Sequence, residues 1–354
     1  MITQIFVIVF IGIFDFNHAF VLPCSINRRN QCNFSSFAIE TFVDMQDLGL
    51  DVGTCNIPGV DWQRPGKVNQ DWCFVDSQKG ELAKNNVNDY FVVGVLDGHG
   101  KYGREVSSFA AKTLPREIWN QLKSCSLPAP IVEFEWEGIQ NAAGFEDCSK
   151  YKSEFTKTQQ ALINAFHTVQ YNAIHEKDVK AGRNGATCIV CHIDTGAGEC
   201  NVAYVGDSRA ICIHSEDESI SVITDEQTVD LPSERKRIES REGSRIVGKN
   251  VFYGPIGIAM TRALGDAIMI RAGVVPTPMV GKLHFNKGDT LVLGTDGIWD
   301  VLSNERVREI ALKNDNAQEA ANEMAKIARE RWLGDLPIMD EEKADDITVV
   351  VIRC

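Results

Sequence analysis

Two apolar stretches separated by only four residues constrain the fold of this 354-residue chain more than any other feature. Residues 201–205 (NVAYV) and 210–214 (AICIH) both have the composition of buried β-strands, and residues 206–209 (GDSR) join them. Parallel strands need a crossover of about a dozen residues, whereas antiparallel strands can be joined by a tight turn. The sheet is therefore at least partly antiparallel, which disfavours a doubly wound nucleotide-binding fold.

Short β-branched stretches and amphipathic segments alternate along the rest of the chain. Further strands are predicted at Tyr90–Leu96, Ala186–Ile193, Thr290–Gly294 and Ile347–Ile352. Helices are predicted at Arg104–Leu122, Lys157–Val179, Ser233–Glu242, Asn304–Lys313 and Ala317–Arg331. Residues 124–155 interrupt this alternation and are typical of a surface insertion. The pattern predicts an α+β protein in which helices flank the sheets.

Composition and charge exclude several classes of protein. The chain has 36 basic and 49 acidic residues and a net charge of −13, whereas a nucleic-acid-binding surface needs clustered basic residues. Its 44% apolar and 24% charged residues are typical of a globular protein. No apolar run reaches the roughly 18 residues of a membrane-spanning helix. We therefore expect no nucleic-acid partner and no stable transmembrane segment.

An apolar run near the N-terminus predicts a targeting segment. Residues 5–14 (IFVIVFIGIF) contain no polar side chain and are followed by the polar residues Asp15, Asn17 and His18. The run fits the apolar part of a secretory signal and is short for a membrane span. We predict a signal peptide over residues 1–20 and a location in the secretory pathway or outside the cell. A buried N-terminal strand, or an uncleaved N-terminus on a cytoplasmic or membrane-associated protein, is the alternative.

Eleven cysteines do not fix the redox compartment, because an odd number cannot pair completely within one chain. Cys188 and Cys191 have the spacing of a metal or redox motif, but they fall within a predicted strand, where they point to opposite faces. We therefore expect both to be buried thiols. If the protein is secreted, the candidate disulfides are Cys24 with Cys32 and Cys125 with Cys148.

Aspartates stand at the ends of the predicted strands. These are Asp71 in VNQD, Asp97 in LDGHG, Asp207 in VGDS, Asp296 in GTDG and Asp345 in ADDI. Each Asp-Gly pair taken alone is ordinary turn chemistry. Several carboxylates that converge repel one another, however, and are tolerated only where cations neutralise them. The recurrence of the pattern therefore predicts a shared cation site.

Hard oxygen ligands with few histidines or cysteines favour Mg²⁺ or Mn²⁺ over zinc. Such ions bind phosphoryl oxygens and lower the pKa of a bridging water molecule, which can then attack phosphorus in line. The chain has no GxxxxGK[ST] loop, so nucleotide hydrolysis through a P-loop is disfavoured. His99 follows Asp97 by two residues, where an imidazole could protonate a leaving alkoxide; an exposed turn histidine is the alternative.

An ordered set of motifs resembles the metal-dependent protein serine/threonine phosphatases of type 2C. The matching stretches are VNQD (68–71), VLDGHGKYG (95–103), GATC (185–188), YVGDSRA (204–210), MTRALGD (260–266), GTDGIWDVLS (294–303) and ADDITVVVI (344–352). The resemblance implies a central β-sandwich of two antiparallel sheets with helices on both sides, a four-layer α/β/β/α arrangement. The motifs span about residues 60–354, and we predict a single catalytic domain over residues 46–354. Residues 21–45 show no clear period and are predicted to be a leader of uncertain structure.

The resemblance assigns roles to individual aspartates. Asp97 would bridge two Mg²⁺ or Mn²⁺ ions, and the carbonyl of Gly98 would bind the second ion. Asp296 and Asp345 would complete the ligands of the first ion, and Asp71 would act through a coordinated water molecule.

Three further residues have roles implied by the same resemblance. Asp207 or Asp300 would contribute to a third, looser metal site. His99 would be the general acid. The substrates implied are phosphorylated proteins, and we expect a monomer.

Two departures from the family pattern affect this prediction. The usual Glu-Asp pair is Gln70-Asp71 here, which removes one negative charge beside the metals. The usual phosphate-binding arginine falls on Gly66, so Lys67 or Arg64 would have to bind the substrate phosphate.

A basic cluster lies in the segment that corresponds to the family's flap, residues 227–258. It comprises Arg235, Lys236, Arg237, Arg241 and Arg245. These side chains could dock acidic or phosphorylated substrates, or they could form a solvated helix face.

The sequence thus predicts hydrolysis of phosphoserine and phosphothreonine in proteins by a two-metal-activated water. One alternative is a catalytically weak or silent relative that binds phosphoproteins or kinases as a regulator. This alternative rests on Gly66, which replaces the family's phosphate-binding arginine. A metal-dependent phosphatase for small molecules is the other.

Overall fold

The computed structural model describes residues 50–61, 63, 66–79, 89–124, 155–334 and 343–354. The predicted signal peptide, the leader, almost all of the predicted insertion, Arg64 and both candidate disulfides lie outside the described residues. Within this part of the chain no helix is long and apolar enough to cross a membrane. The seven described cysteines, which include Cys188 and Cys191, are free thiols.

Short strands and six α-helices make up the described part of the chain. The strands are β1 Asp51–Ile57, β2 Val60–Asp61, β3 Trp72–Lys79, β4 Asp89–Leu96, β5 Gly98–His99, β6 Gly185–Ala186, β7 Cys188–Asp194, β8 Glu199–Val205, β9 Arg209–Ile213, β10 Ile220–Val222, β11 Ser244–Val247, β12 Asn250–Tyr253, β13 Ile256–Ile258, β14 Leu264–Gly265, β15 Met279–His284, β16 Thr290–Gly294, β17 Lys343–Ala344 and β18 Ile347–Arg353. The helices are α1 Gly103–Lys123, α2 Lys157–His175, α3 Pro232–Glu239, α4 Asp296–Trp299, α5 Asn304–Lys313 and α6 Ala317–Leu333.

Two five-stranded sheets form the centre of the molecule. Their strand orders are β1-β18-β16-β9-β10 and β15-β8-β7-β4-β3, and every pair of neighbours is antiparallel. The inner faces meet in one apolar core that includes Phe91, Ile189, Leu291 and Val350. The predicted four-layer sandwich is confirmed by helices α4, α5 and α6 against the first sheet and helices α1 and α2 against the second.

Burial on both faces explains why these strands appear in the sequence as continuous apolar runs. Strands β7, β8, β16 and β18 are buried on both faces, because each lies inside its sheet between the second sheet and a helical layer. The two faces of β7 separate its cysteines as predicted: Cys191 packs in the inter-sheet core and Cys188 against the helices.

Three predicted elements differ from the structure by three or more residues or by a break. The second helix ends at His175 rather than at residue 179, because Glu176 is extended and Val179 packs in a small satellite core instead. Helix α3 ends at Glu239 rather than at residue 242. The strand predicted over residues 186–193 is interrupted at Thr187, whose backbone N–H donates 2.8 Å to the carbonyl of Asp97.

A small subdomain accounts for the segment predicted to form the flap. Strands β11, β12 and β13 form a three-stranded sheet that packs with α3 around its own apolar core, which includes Val229, Ile238 and Met269.

Candidate active site

Strand register brings the predicted aspartates to one end of the sandwich. Trp72 pairs with Leu96, so Asp71 and Asp97 are neighbours where β3 begins and β4 ends. Arg209 pairs with Gly294 and Gly294 with Val349 in the first sheet. The turn before β9, the residues after β16 and the turn before β18 therefore share an end as well, and these carry Asp207, Asp296 and Asp345.

Asp71, which is buried, and Asp97, which is half-buried, form the inner part of this cluster. Asp71 is 2% exposed, and the hydroxyl of Thr295 donates 2.8 Å to its Oδ2. The backbone N–H of Asp97 donates 3.2 Å to Oγ1 of Thr187. Thr295 caps the short helix α4 that begins at Asp296, so one residue links the start of β3 to the end of β16.

The carboxylates raise one another's pKa values. Burial and the charge of Asp346 raise the pKa of Asp71 to about 7. Burial, followed by the charges of Asp71, Asp296, Asp207 and Asp345, holds the pKa of Asp97 well above its usual range. Burial and neighbouring aspartates do the same to Asp296. An uncompensated cluster of this kind favours either protons or cations.

Carboxylate oxygens without hydrogen-bond partners indicate whether the cluster could bind a cation. Among the described residues, Oδ1 of Asp71, Oδ1 of Asp207 and Oδ1 of Asp296 are buried without a hydrogen-bond partner. Buried carboxylate oxygens are normally satisfied, because leaving one unpaired costs free energy. Hard divalent cations bind such oxygens, so the donor set fits Mg²⁺ or Mn²⁺.

The aspartates are nonetheless spread widely. No three oxygens from three of these aspartates lie within 4.8 Å of one another. Among the described residues, the metal-ligating side chains that do come this close belong to a different part of the molecule. Three ligands of a single ion would be closer together.

Lys67 lies against the outer edge of the cluster. Its Nζ donates 2.8 Å to Oδ1 of Asp345 and is 3.5 Å from Oδ1 of Asp346. Burial by itself lowers the pKa of Lys67, but the hydrogen bond and charge of Asp345 and the charge of Asp346 raise it overall. The amino group thus neutralises a predicted metal ligand in this structure.

Asp346 organises this edge from a fully buried position. Its Oδ1 accepts a 2.5 Å bond from the N–H of Gly59, and its Oδ2 accepts a 3.0 Å bond from the N–H of Gln70. These bonds attach the segment before β3 to the start of β18.

The half-buried His99 pairs with the buried Asp266. Nε2 of His99 is 2.5 Å from Oδ2 of Asp266, which is 2% exposed. Burial alone would lower the pKa of His99, but the charge and hydrogen bond of Asp266, with the charges of Asp207 and Asp296, raise it. The protonated form of the imidazole is therefore more favoured than in a free histidine.

Gly185 makes room for this pair. A Cβ at residue 185 would lie 2.2 Å from Oδ2 of Asp266 and 2.7 Å from Nε2 of His99. Any larger residue would push the two side chains apart.

The remaining predicted residues lie around the cluster. Gly98 is buried, and its N–H donates 3.1 Å to the carbonyl of Gln70. Asp300, at the C-terminal end of α4, is exposed. Burial and the charge of Glu226 still raise the pKa of Asp300.

Both departures from the family pattern have local explanations. Gly66 has a φ of +90°, a left-handed backbone that a side chain such as arginine adopts only with strain. The Gln70 amide donates 2.8 Å to the carbonyl of Gly100, a bond that a glutamate carboxylate could not make.

The basic cluster predicted on the flap is only partly available for docking. Arg237 is 8% exposed in its side chain and is ion-paired with the buried Glu234, so the interpretation as a docking residue is wrong for Arg237. The guanidinium of Arg237 stabilises the subdomain core instead, because it also donates to the carbonyls of Thr261 and Gly273. Arg235 and Arg245 do line an open cavity of about 490 Å³ on this face.

Sequence reasoning assigned no role to Asp266 or Asp346. Asp266 ends the MTRALGD stretch, and its left-handed backbone (φ +45°) marks a constrained position. Asp346 adjoins Asp345 in ADDI. Both were visible in motifs, but their partners lie 167 and 276 residues away, at His99 and Gln70.

Comparison with known proteins identifies the family of this chain. A family model described as protein phosphatase 2C matches residues 70–335. The chain is a member of the protein phosphatase 2C family. As a member it is a metal-dependent protein serine/threonine phosphatase. The family match begins after Lys67 and ends before Asp345.

Several curated relatives are protein phosphatases 2C. The chain is 29% identical over 272 residues to probable protein phosphatase 2C 61 of Arabidopsis thaliana, covering 73% of this chain and 74% of the relative. It is 27% identical over 359 residues to probable protein phosphatase 2C 72 of the same plant, covering 95% and 97%.

Solved structures agree on the fold. A serine-threonine phosphatase 2C from Toxoplasma gondii superposes with a TM-score of 0.55 at 17% identity, covering 85% of this chain and 98% of that one. A C. elegans sex determining protein superposes with a TM-score of 0.60 at 19% identity, covering 86% and 65%.

Proposed function

We propose that this phosphatase 2C hydrolyses phosphoserine and phosphothreonine in proteins at the aspartate cluster between the two sheets, with His99 as general acid. The observation that carries the proposal is the set of buried, unpartnered oxygens on Asp71, Asp207 and Asp296. These atoms need positive charge, and a phosphate ester brings more negative charge to the same place.

Asp97, Asp296 and Asp345 would hold two Mg²⁺ or Mn²⁺ ions, with Asp71 and the Gly98 carbonyl beside them and Asp207 or Asp300 near a third. Bound there, the ions would supply Lewis-acid stabilisation of the phosphoryl oxygens and an activated water molecule. Repulsion between neighbouring carboxylates contributes to the raised pKa values of Asp71, Asp97 and Asp296. The same repulsion would favour cation binding, and a bound ion would displace the protons that the cluster otherwise retains.

His99 would give its proton to the oxygen of the departing serine or threonine. Asp266 supports this role because it orients the ring through Nε2 and raises the pKa of His99. Nδ1 of His99 is buried without a partner and is therefore the nitrogen left to donate.

Lys67 is the cation proposed to replace the family's arginine, because its amino group lies at the edge of the aspartate cluster. In this structure its amino group binds Asp345. Ions that satisfy Asp345 would release Lys67 for the phosphate of the substrate.

A phosphopeptide assay tests the proposal. The full chain should release phosphate from a phosphothreonine peptide with Mn²⁺ and lose this activity with a chelator. Asp97→Asn should lower kcat by about 10³-fold or more, whereas Asp76→Asn, whose carboxylate accepts from Trp119 away from the cluster, is the matched control. Full activity of Asp97→Asn would rule out the assignment.

The same assay separates the alternatives. Phosphopeptide binding without turnover would indicate a regulator. This alternative arises because Gly66 occupies the position of the family's phosphate-binding arginine. Faster turnover of small phosphate esters than of the peptide would indicate a small-molecule phosphatase.

A further inference from the structure

The central strands of the first sheet carry a second group of metal-ligating side chains at the end remote from the aspartate cluster. Strand β9 begins after Asp207 and ends before His214, and strand β16 begins after Asp289 and ends before Asp296. Each strand has five residues, which at about 3.3 Å per residue separate its ends by roughly 16 Å. The two groups of side chains are therefore independent sites.

Register places this second group on one face of the sheet. Thr290 pairs with Ile213, so Asp289 is opposite His214 in the antiparallel ladder. Cys212 is two residues before His214, and side chains two apart along a strand point to the same face. That face is the one that Cys212 buries in the inter-sheet core.

Ligand atoms of these three residues come close together. One atom each from Cys212, His214 and Asp289 lie within 4.8 Å of one another. Nδ1 of His214 is 3.9 Å from Oδ2 of Asp289. Cys212 and Asp289 are buried, whereas His214 is partly exposed and leaves a route from solvent.

Supporting hydrogen bonds turn the free electron pairs toward the group. Nε2 of His214 is 2.7 Å from Oγ of Ser221, which leaves Nδ1 as the ring nitrogen that can bind a metal ion. Oδ1 of Asp289 accepts from the N–H and the hydroxyl of Ser215, at 2.9 and 3.1 Å. Oδ2 accepts only the N–H of Asn286, at 2.8 Å, and so keeps one electron pair free beside His214.

We propose that Cys212, His214 and Asp289 form a zinc site. Thiolate, imidazole and carboxylate are the three side-chain ligands that Zn²⁺ uses in proteins, whereas Mg²⁺ prefers oxygen alone. Hydroxyl and backbone groups that fix the outer atoms of the ligands, as Ser221 and Ser215 do here, are the usual support of such a site. On binding, the thiol of Cys212 passes its proton to solvent and binds as thiolate.

Small movements complete the geometry. Ligand atoms around a tetrahedral Zn²⁺ are about 3.3–3.9 Å apart, given bond lengths of about 2.0–2.3 Å. The ligand atoms now lie within 4.8 Å of one another, and rotation of the partly exposed His214 ring would shorten these distances to the tetrahedral spacing. Cys354 lies beside Asp289, since Thr290 pairs with Arg353, but its thiol is outside the group. Solvent therefore fills the fourth position, and the ion ties β9 to β16.

Cobalt is the probe that distinguishes this site from the aspartate cluster. A thiolate bound to Co²⁺ gives a charge-transfer band in the near ultraviolet, and none of the ligands proposed for the catalytic ions is a thiol. The chelator-treated full chain, kept in excess Mg²⁺, should develop the band with one equivalent of Co²⁺ and lose it when Zn²⁺ is added.

Variants assign the band to residues. Cys212→Ser should abolish it, and His214→Asn, a change at a partly exposed position that leaves the fold intact, should weaken Co²⁺ binding at least about 100-fold. Ser221→Ala should weaken binding about 10-fold or more, as expected for a positioning residue. Cys55→Ser, a half-buried thiol outside the group, and Asp97→Asn should leave the band unchanged.

Four results would overturn the proposal. They are the absence of the band in the folded wild-type chain, an unchanged affinity in His214→Asn, retention of the band in folded Cys212→Ser, and loss of the band in Asp97→Asn. The His214→Asn variant should keep its Mn²⁺-dependent phosphatase activity, so the outcome is independent of the proposed catalysis.

Discussion

Single residues with distant partners determine the chemistry of this phosphatase 2C. Asp266 raises the pKa of His99, and Lys67 is positioned by Asp345 and Asp346. In both cases a charge of opposite sign outweighs the effect of burial on the pKa of the cationic group. The environment of each residue therefore matters as much as its chemical type.

Removal of the Asp266 charge should change the pH dependence of catalysis. Asp266→Asn lowers the pKa of His99, so the general acid loses its proton at a lower pH. We expect the alkaline limb of the kcat profile to move toward lower pH, with kcat reduced about 10-fold or more at neutral pH. An unchanged limb in the variant would contradict the role of His99 as the acid.

Lys67 should affect metal and substrate in opposite directions. Lys67→Met removes the amino group that competes for Asp345, so Mn²⁺ should bind more tightly to the free enzyme, by about 3-fold or more. The KM for a phosphothreonine peptide should rise about 10-fold because the phosphate loses a charged partner. Calorimetry measures the Mn²⁺ affinity, and steady-state kinetics measure the KM. An unaltered KM would mean that Lys67 neutralises Asp345 but does not bind the substrate phosphate.

At the scale of elements, the flap subdomain is stabilised by a buried charge network on α3. Glu234 is 1% exposed, and it binds Arg237, Arg262 and the hydroxyl of Thr261. Burial alone would raise the pKa of Glu234, but the two guanidinium groups outweigh it and lower the pKa from 4.5 to about 2. A buried charge with complete partners is costly to break.

The pH dependence of stability should carry the signature of Glu234. Because the folded pKa is depressed, the contribution is complete above pH 4.5 and is lost as the pH falls toward 2. Glu234→Gln should lower the free energy of unfolding by about 3 kcal/mol at pH 7. The variant should also lose less stability than wild type between pH 4.5 and 2; equal pH slopes in denaturant melts would refute this account.

Elements with a strong pattern were predictable, and their junctions were not. The bounds of β16 and α5 match the sequence prediction because β16 is uniformly buried and Ser303 caps α5. The end of α2 and the break at Thr187 depend on contacts with Val179 and Asp97, which local sequence does not encode. The prediction for Arg237 was wrong for a different reason: its partner Glu234 is only three residues away on the same helix, but the burial of this pair depends on the fold.

On the scale of the whole molecule, antiparallel register collects acidic residues at one end of the sandwich. The recurrence of aspartates at strand ends and the ordered motifs were enough to predict the sandwich and this cluster. The pairing of His99 with Asp266, and the network around Asp346, required the fold, because residues on different sheets and loops meet there. The cluster stores repulsion that divalent ions would relieve.

Metal ions should therefore stabilise the fold. The raised pKa values of Asp71 and Asp97 mean that their ionisation disfavours the folded state as the pH rises above about 3.8. Mn²⁺ at 100 times its Kd should add about 2.7 kcal/mol, or ~5 °C in Tm. Asp97→Asn should raise the Tm of the metal-free protein and abolish the Mn²⁺ shift; a metal-free Tm below wild type would contradict the repulsion.

Anomalous diffraction from crystals grown with Mn²⁺ tests the central claim most directly. We predict two manganese peaks enclosed by Asp97, Asp296 and Asp345, with Asp71 nearby and Lys67 displaced from Asp345. Absence of manganese density among these carboxylates at saturating Mn²⁺, with Lys67 still bound to Asp345, would contradict the account.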